Sequence, residues 1–315
     1  MNIKKIFELL PSAEVFSRNV YWRLAWLQEF VSKATKGKST SAPKSSFSGT
    51  DLLTALRQVG IKEDDVIIVH SNMKELSSSG LNPTEIIHLL THVLCPKGTL
   101  ACPTFPLYAK EPQGTAKLTK DLSNQEFVYD VQKTRPWTGE LGRALMKTPG
   151  ARRSIHPLNT ITAYGAAVDR IFENETIDTL DLPCGPNSTW ASLCQMNAKV
   201  IMLGVDLTHS LTMIHVAEDC YESEWPVKGW YRERLFKIKN QGSENLVTVR
   251  ERHPKWAMSY AERKLSRDLF ANGVAQKFSV GSLKVVVVES KNLIEFLRSK
   301  KKQAYPYYHT WLSSL

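Results

Sequence analysis

Along residues 15–31 the apolar side chains Val15, Phe16, Val20, Tyr21, Leu24, Leu27, Phe30 and Val31 recur at helical spacing, with Arg18, Arg23, Lys33 and Lys36 among or after them. The pattern predicts a basic amphipathic arm. It ends in KGKSTSAPKSS (36–46), a polar linker containing Pro and Ser. From Ser48 the pattern changes. Ser48 and Thr50 are N-cap residue types ahead of a helix to about Val59. VIIVHS (66–71) reads as a buried strand, and Pro83 to Leu94 as a helix with proline in its first turn. GTLACPTF (98–105) is the next strand, which completes a βαβ unit. KVIMLGVD (199–206) leads into the helical HSLTMIHVAEDC, and LKVVVVES (283–290) leads into NLIEFLRSK. The pieces WYRERLFKIK and NLVTVRER, within 228–252, alternate as a small antiparallel patch. The expected fold is α/β: a central, largely parallel sheet flanked by helices, with that patch. The arm and linker, 1–46, precede a domain at 47–315.

Composition narrows this picture. Of the 315 residues 42% are hydrophobic, enough for a sizeable core. No apolar run reaches the roughly 18 residues of a membrane span, and the N-terminus lacks a secretory pattern. The five cysteines, Cys95, Cys102, Cys184, Cys194 and Cys220, form no CxxC pair, and there is no HExxH. A zinc site or disulfide framework is not expected, and a reducing cytoplasm is. The net charge of +10 suits anionic partners without choosing among them. No nucleic-acid-binding signature accompanies it, so no nucleic-acid partner is expected. The arm suits packing on the domain, homo-oligomerisation or peripheral membrane contact; apolar stripes of this kind favour packing.

Three clusters carry candidate chemistry. His215 and Glu218 sit at i and i+3 on the helix after strand 199–206, with Thr212 on the same face. Imidazole titrates near neutrality and can take a proton from an attacking amine; a neighbouring carboxylate orients it and stabilises the imidazolium. Asp206, at the strand end, is a second carboxylate for that task. The stretch ARRSIHPLNTITAYG (151–165) holds two arginines, a guanidinium being suited to phosphate, together with His156 and several hydroxyls. The loop His70-Ser71-Asn72-Met73-Lys74 offers hydroxyl and amide groups for an anion, but is neither a Walker loop nor GxGxxG.

In that order the clusters resemble the aminoglycoside 3-N-acetyltransferase family. The matching pieces are VIIVHSNMKEL (66–76), PKGTLACPTF (96–105), RRSIHPLNTITAYG (152–165), GPNSTWASL (185–193) and VIMLGVDLTHSLTMIHVAED (200–219). The resemblance implies acetyl-CoA as donor and direct transfer to an amine. It places Thr212, His215 and Glu218 on the family's T-x-x-H-x-x-E. The expected catalytic set is therefore His215, Glu218 and Asp206. The coenzyme set is His70, Ser71, Asn72, Met73, Lys74, Thr104, Arg153, Ser154 and His156. The acceptor set is Tyr108, Thr212, Asp219 and Glu222. The chain departs from the family pattern at Leu81-Asn82-Pro83, where many members carry Gly-Gly, and in Asn72 and Thr160, each in place of a serine. With no cysteine in these clusters, an acyl-enzyme is not expected. The net charge favours an anionic acceptor such as a nucleotide-linked amino sugar used for surface polysaccharide. An aminoglycoside is the alternative, and a non-catalytic membrane or nucleic-acid binder on the same fold is a third reading. Trp137, Trp190, Trp225, Trp230 and Tyr231 are candidate stacking surfaces for sugar rings.

Overall fold

A computed structural model describes residues 3–24, 46–208 and 210–308. The arm forms two helices, α1 (Ile3–Leu9) and α2 (Pro11–Arg23), with Pro11 at the start of α2. The second half of the predicted stripe, Leu27 to Val31, and most of the linker lie outside the described residues. Helix α3 (Gly49–Gln58) opens with Ser48, whose hydroxyl accepts from the Asp51 amide while the Asp51 carboxylate accepts from the Ser48 amide.

Strand β1 (Val66–Ser71) leads through the short helix α4 (Met73–Leu76) to α5 (Pro83–Leu94) and β2 (Thr99–Pro103). The Leu81-Asn82-Pro83 departure is a helix start: Asn82 and Glu85 form a capping box with Pro83 in the first turn. Then come β3 (Glu126–Asp130), helix α6 (Glu140–Met146), β4 (Arg152–Arg153), β5 (Ile161–Gly165), helix α7 (Thr189–Gln195) and β6 (Lys199–Leu203). Helix α8 (His215–Asp219) follows a 3-10 turn at Thr212–Ile214. Strands β7 (Tyr231–Asn240) and β8 (Ser243–Arg252), helix α9 (Glu262–Ala271), strands β9 (Ala275–Val280) and β10 (Leu283–Glu289) and helix α10 (Ser290–Ser299) complete the chain.

Seven strands form one sheet in the order β4-β5-β2-β1-β6-β10-β9. Strand β1 pairs parallel with both β2 and β6, and the four outer pairings are antiparallel. Only β5 and β10 therefore run against the rest. The parallel βαβ centre follows from apolar runs buried on both faces, and one apolar cluster lies on each face of the sheet. A second sheet, β3-β7-β8, carries its own small core around Phe127, Tyr129 and Phe236. Its β7–β8 hairpin is the expected antiparallel patch, while β3 joins β7 in parallel.

Candidate active site

Two cavities flank the segment between β6 and α8. The first, about 320 Å³, is walled by His215, Leu207 and Leu211, by the end of β8 (Glu251, Arg252) and by Trp256, Tyr260, Glu262 and Tyr307. The second, about 400 Å³, is walled by the loop from Val69 to Lys74, by Phe105, and by Trp137 to Glu140. Ser210 and Thr212 line both. Gly204 lets the helix that follows the Val69–Lys74 loop pack closely. Its φ is +69°, and a Cβ there would stand 2.4 Å from the Cβ of Glu75, so only glycine lets α4 sit against the end of β6.

His215 is the centre of the first cavity's chemistry. Its Nδ1 lies 2.8 Å from Glu218 Oε2. Its side chain is 25% exposed and that of Glu218 only 3%. A buried carboxylate on Nδ1 fixes the proton there and leaves the Nε2 lone pair as acceptor. The carboxylate is itself held: the Tyr307 hydroxyl donates to Glu218 Oε1 at 2.8 Å, and Arg252 Nε stands 3.4 Å from Oε2. Burial alone would raise the Glu218 pKa, but His215, Arg252 and Tyr307 outweigh it and hold the group below its ordinary value. The Tyr307 hydroxyl is driven well above the phenol range by burial and by the Glu218 charge, so it stays a donor. Sequence reasoning missed Tyr307 and Arg252, which lie 89 and 34 residues beyond Glu218. It also missed Trp256 and Tyr260 on the cavity wall; no local spacing links any of these to His215.

The remaining expected residues fall into three groups. Thr212 lines both cavities, and His70, Ser71, Asn72, Met73 and Lys74 line the second. Their amides are not open anion sites throughout. The Asn72 amide donates to Leu203 O and the Lys74 amide to Asn72 Oδ1. His70 is buried, burial pushes its pKa down to about 4, and its Nε2 has no hydrogen-bond partner. Asp219 and Glu222 serve charge pairing. The Asp219 carboxylate is buried and takes Arg252 at 2.7 Å, Tyr231 at 3.0 Å and the Cys184 amide at 3.1 Å; Glu222 binds Arg250 at 2.8 Å.

The third group needs correcting. Asp206 is exposed, accepts from the Thr208 amide and hydroxyl, and lines a different cavity from that of His215. The Arg153 guanidinium is no phosphate site. It donates to the carbonyls of Val131, Thr134 and Thr104 and stacks on Tyr129, which ties the two sheets together. Thr104 is buried against Thr162 at 3.1 Å. Ser154 donates to the buried Glu175 at 2.7 Å. His156 Nδ1 accepts from the Leu158 amide at 3.0 Å and Nε2 faces Asp181 O at 3.2 Å, which fixes the neutral Nε2–H tautomer; burial lowers its pKa to about 4. Tyr108 donates to Pro157 O at 2.7 Å and packs on Phe127 and Phe236. Among the aromatic candidates, Trp190 is buried core, whereas Trp137 is 60% exposed and lines the second cavity. The corrections at Arg153, His156 and Tyr108 share one cause. Hydroxyls, imidazoles and guanidinia suit ligands, but they equally satisfy buried backbone where two sheets meet.

A carboxylate-held imidazole lines one cavity, and Ser210 and Thr212 stand between it and a second, an arrangement that suits a transferase with two substrates. Residues 68–300 match the family model for aminoglycoside 3-N-acetyltransferase, and the chain belongs to that family. It is an N-acetyltransferase with acetyl-CoA as donor. It is 25% identical over 265 residues to aminoglycoside N(3)-acetyltransferase VII of Streptomyces paromomycinus, covering 78% of this chain and 88% of that one. It is also 25% identical over 248 residues to aminoglycoside N(3)-acetyltransferase IX of Micromonospora chalcea, covering 72% and 83%. In fold it is similar to AAC-IIIb solved as a binary complex with CoASH (TM-score 0.69, 21% identity, covering 84% of this chain and 98% of that one). A sisomicin-bound AAC-VIa is also similar (TM-score 0.63, 16% identity, covering 81% and 99%). No helix among the described residues is long and apolar enough to cross a membrane.

Proposed function

We propose that this chain acetylates an amino group of an aminoglycoside-type acceptor by direct transfer from acetyl-CoA, with His215 as the base. The observation that carries the proposal is the 2.8 Å contact between His215 Nδ1 and the buried Glu218, at the wall of a cavity that shares Thr212 with its neighbour. The donor lies in the second cavity along the Val69–Lys74 loop, and the acceptor lies in the first. The amine nitrogen attacks the thioester carbonyl and the C–N bond forms as His215 Nε2 takes a proton from that nitrogen; the C–S bond then breaks, and the proton passes from His215 to the departing sulfur, which releases the coenzyme thiol and restores the base. Glu218, held by Tyr307 and Arg252, stabilises the imidazolium.

The names of the relatives favour an aminoglycoside over a nucleotide-linked amino sugar. The cavity wall adds aromatic surface for sugar rings at Trp256 and Tyr260. Thiol release from acetyl-CoA, followed across aminoglycosides, free amino sugars and nucleotide-linked amino sugars, tests the reading. Turnover with aminoglycosides is expected. Turnover confined to the nucleotide-linked sugars would overturn the choice of acceptor.

A further inference from the structure

An ammonium-rich acceptor calls for unpaired carboxylates in its pocket, yet among the described residues the acidic and basic side chains other than histidine that line the His215 cavity, Glu251, Arg252 and Glu262, are already paired. Arg252 is held by Glu218 and Asp219. Glu251 is held by Arg232 at 2.5 Å and Arg234 at 3.1 Å. Glu262, 6% exposed, is held by Arg18 Nη2 at 2.5 Å. The first two pairings lie within the domain. The third does not: Arg18 belongs to α2, which precedes the family-matched segment 68–300.

The seat of α2 is built to hold that arginine. Asn19, fully buried, donates to Met258 O at 3.0 Å, on the turn whose Pro254, Trp256 and Ala257 line the same cavity. Glu14, also buried, accepts from Arg263 at 2.6 Å and from Arg18 at 3.3 Å. Arg18 thus lies between two buried carboxylates, one of them on the cavity wall. Buried ion pairs of this kind add little to stability compared with apolar packing, but they fix where charge is expressed.

We propose that Arg18 is a specificity-determining residue. By pairing with Glu262, it weakens that carboxylate's pull on the acceptor and tilts selectivity, among aminoglycoside-type acceptors and other amines, toward those that carry fewer positive charges. The inference rests on the proposed transfer reaction, and it concerns which acceptors that reaction prefers.

The test compares kcat/KM for sisomicin, a polyamine, with that for glucosamine, a monoamine, in the native chain, Arg18→Gln and Arg18→Lys. Arg18→Gln should raise the sisomicin-to-glucosamine ratio by about tenfold, because removing the guanidinium beside Glu262 leaves the cavity wall one positive charge lower. Arg18→Lys, which keeps the charge, should stay near the native ratio. A native ratio retained in Arg18→Gln, or an equal loss on both substrates, would overturn the inference while leaving the transfer reaction standing. No transfer to either amine by the native chain would sink both. A second measurement needs no variant. With its acids paired, the native chain should show a sisomicin KM that changes by less than about twofold between 50 and 200 mM salt. A rise of roughly fivefold or more would contradict the pairing.

Discussion

His215 and His156 are the same residue type in two segments that both looked chemical, a helix and a loop, and the molecule surrounds them in opposite ways. His215 keeps one nitrogen for a buried carboxylate and a quarter of its surface for the cavity. His156 has both nitrogens against backbone, the Leu158 amide and the Asp181 carbonyl, and is buried. A third histidine, His70, lines the second cavity but is buried against Trp190. The difference is one of partners. A carboxylate partner stabilises a charged imidazole, whereas two backbone partners in a desolvated niche hold it neutral. A histidine flanked by hydroxyls and arginines is therefore no better a candidate than one flanked by a single well-placed glutamate.

The contrast breaks first at turnover. His215→Ala should lower kcat by roughly two orders of magnitude or more while coenzyme binding, followed by calorimetry, persists. His156→Ala should leave kcat of the folded protein within about threefold and cost about 2 kcal/mol in urea unfolding, since it strands two buried backbone groups. Equal losses of kcat in the two variants would erase the distinction.

The next effect is on stability and lies on the His156 side. Glu175, under Ser154 and the Ile155 amide, is raised by burial to about 7, against those hydrogen bonds. Between its ordinary value of 4.5 and about 7 the folded chain holds a proton that the unfolded chain has lost. Stability from this group is therefore full at low pH and is lost as pH rises through that window. From about pH 5 to pH 8, the native chain should lose roughly 2 kcal/mol relative to Glu175→Gln. A flat difference would show that the hydrogen bonds, not burial, govern the group.

The smallest effect sharpens the His215 side. Tyr307→Phe removes one donor from Glu218 and leaves His215 and Arg252 in place. It should lower kcat by about threefold to tenfold with KM for acetyl-CoA unchanged, in line with one hydrogen bond to a charged group. An effect on KM alone would move Tyr307 from the carboxylate to the substrate.

Much of the fold was legible because its signals are local. The β-branched runs at 66–71 and 283–290, the Asn82–Pro83 helix start and the polar alternation at 231–252 each carry their own period or cap. The pair His215–Glu218 was legible for the same reason, since three residues apart on one turn is a local relation. What could not be read is non-local. Strand β3 is short and half exposed, and its partner β7 lies more than a hundred residues on. Arg153 and His156 have the residue types of ligand-binding groups, and only the meeting of two sheets reveals that backbone carbonyls and amides have claimed them.

Arg252 ends the last strand of the small sheet, while Glu218 and Asp219 end a helix packed on the large one. The joint between the two sheets is therefore fastened at the carboxylate that holds the imidazole of His215. Arg252 at the end of the β7–β8 hairpin bears directly on that carboxylate. The proposed base thus shares its carboxylate with a residue of the smaller sheet.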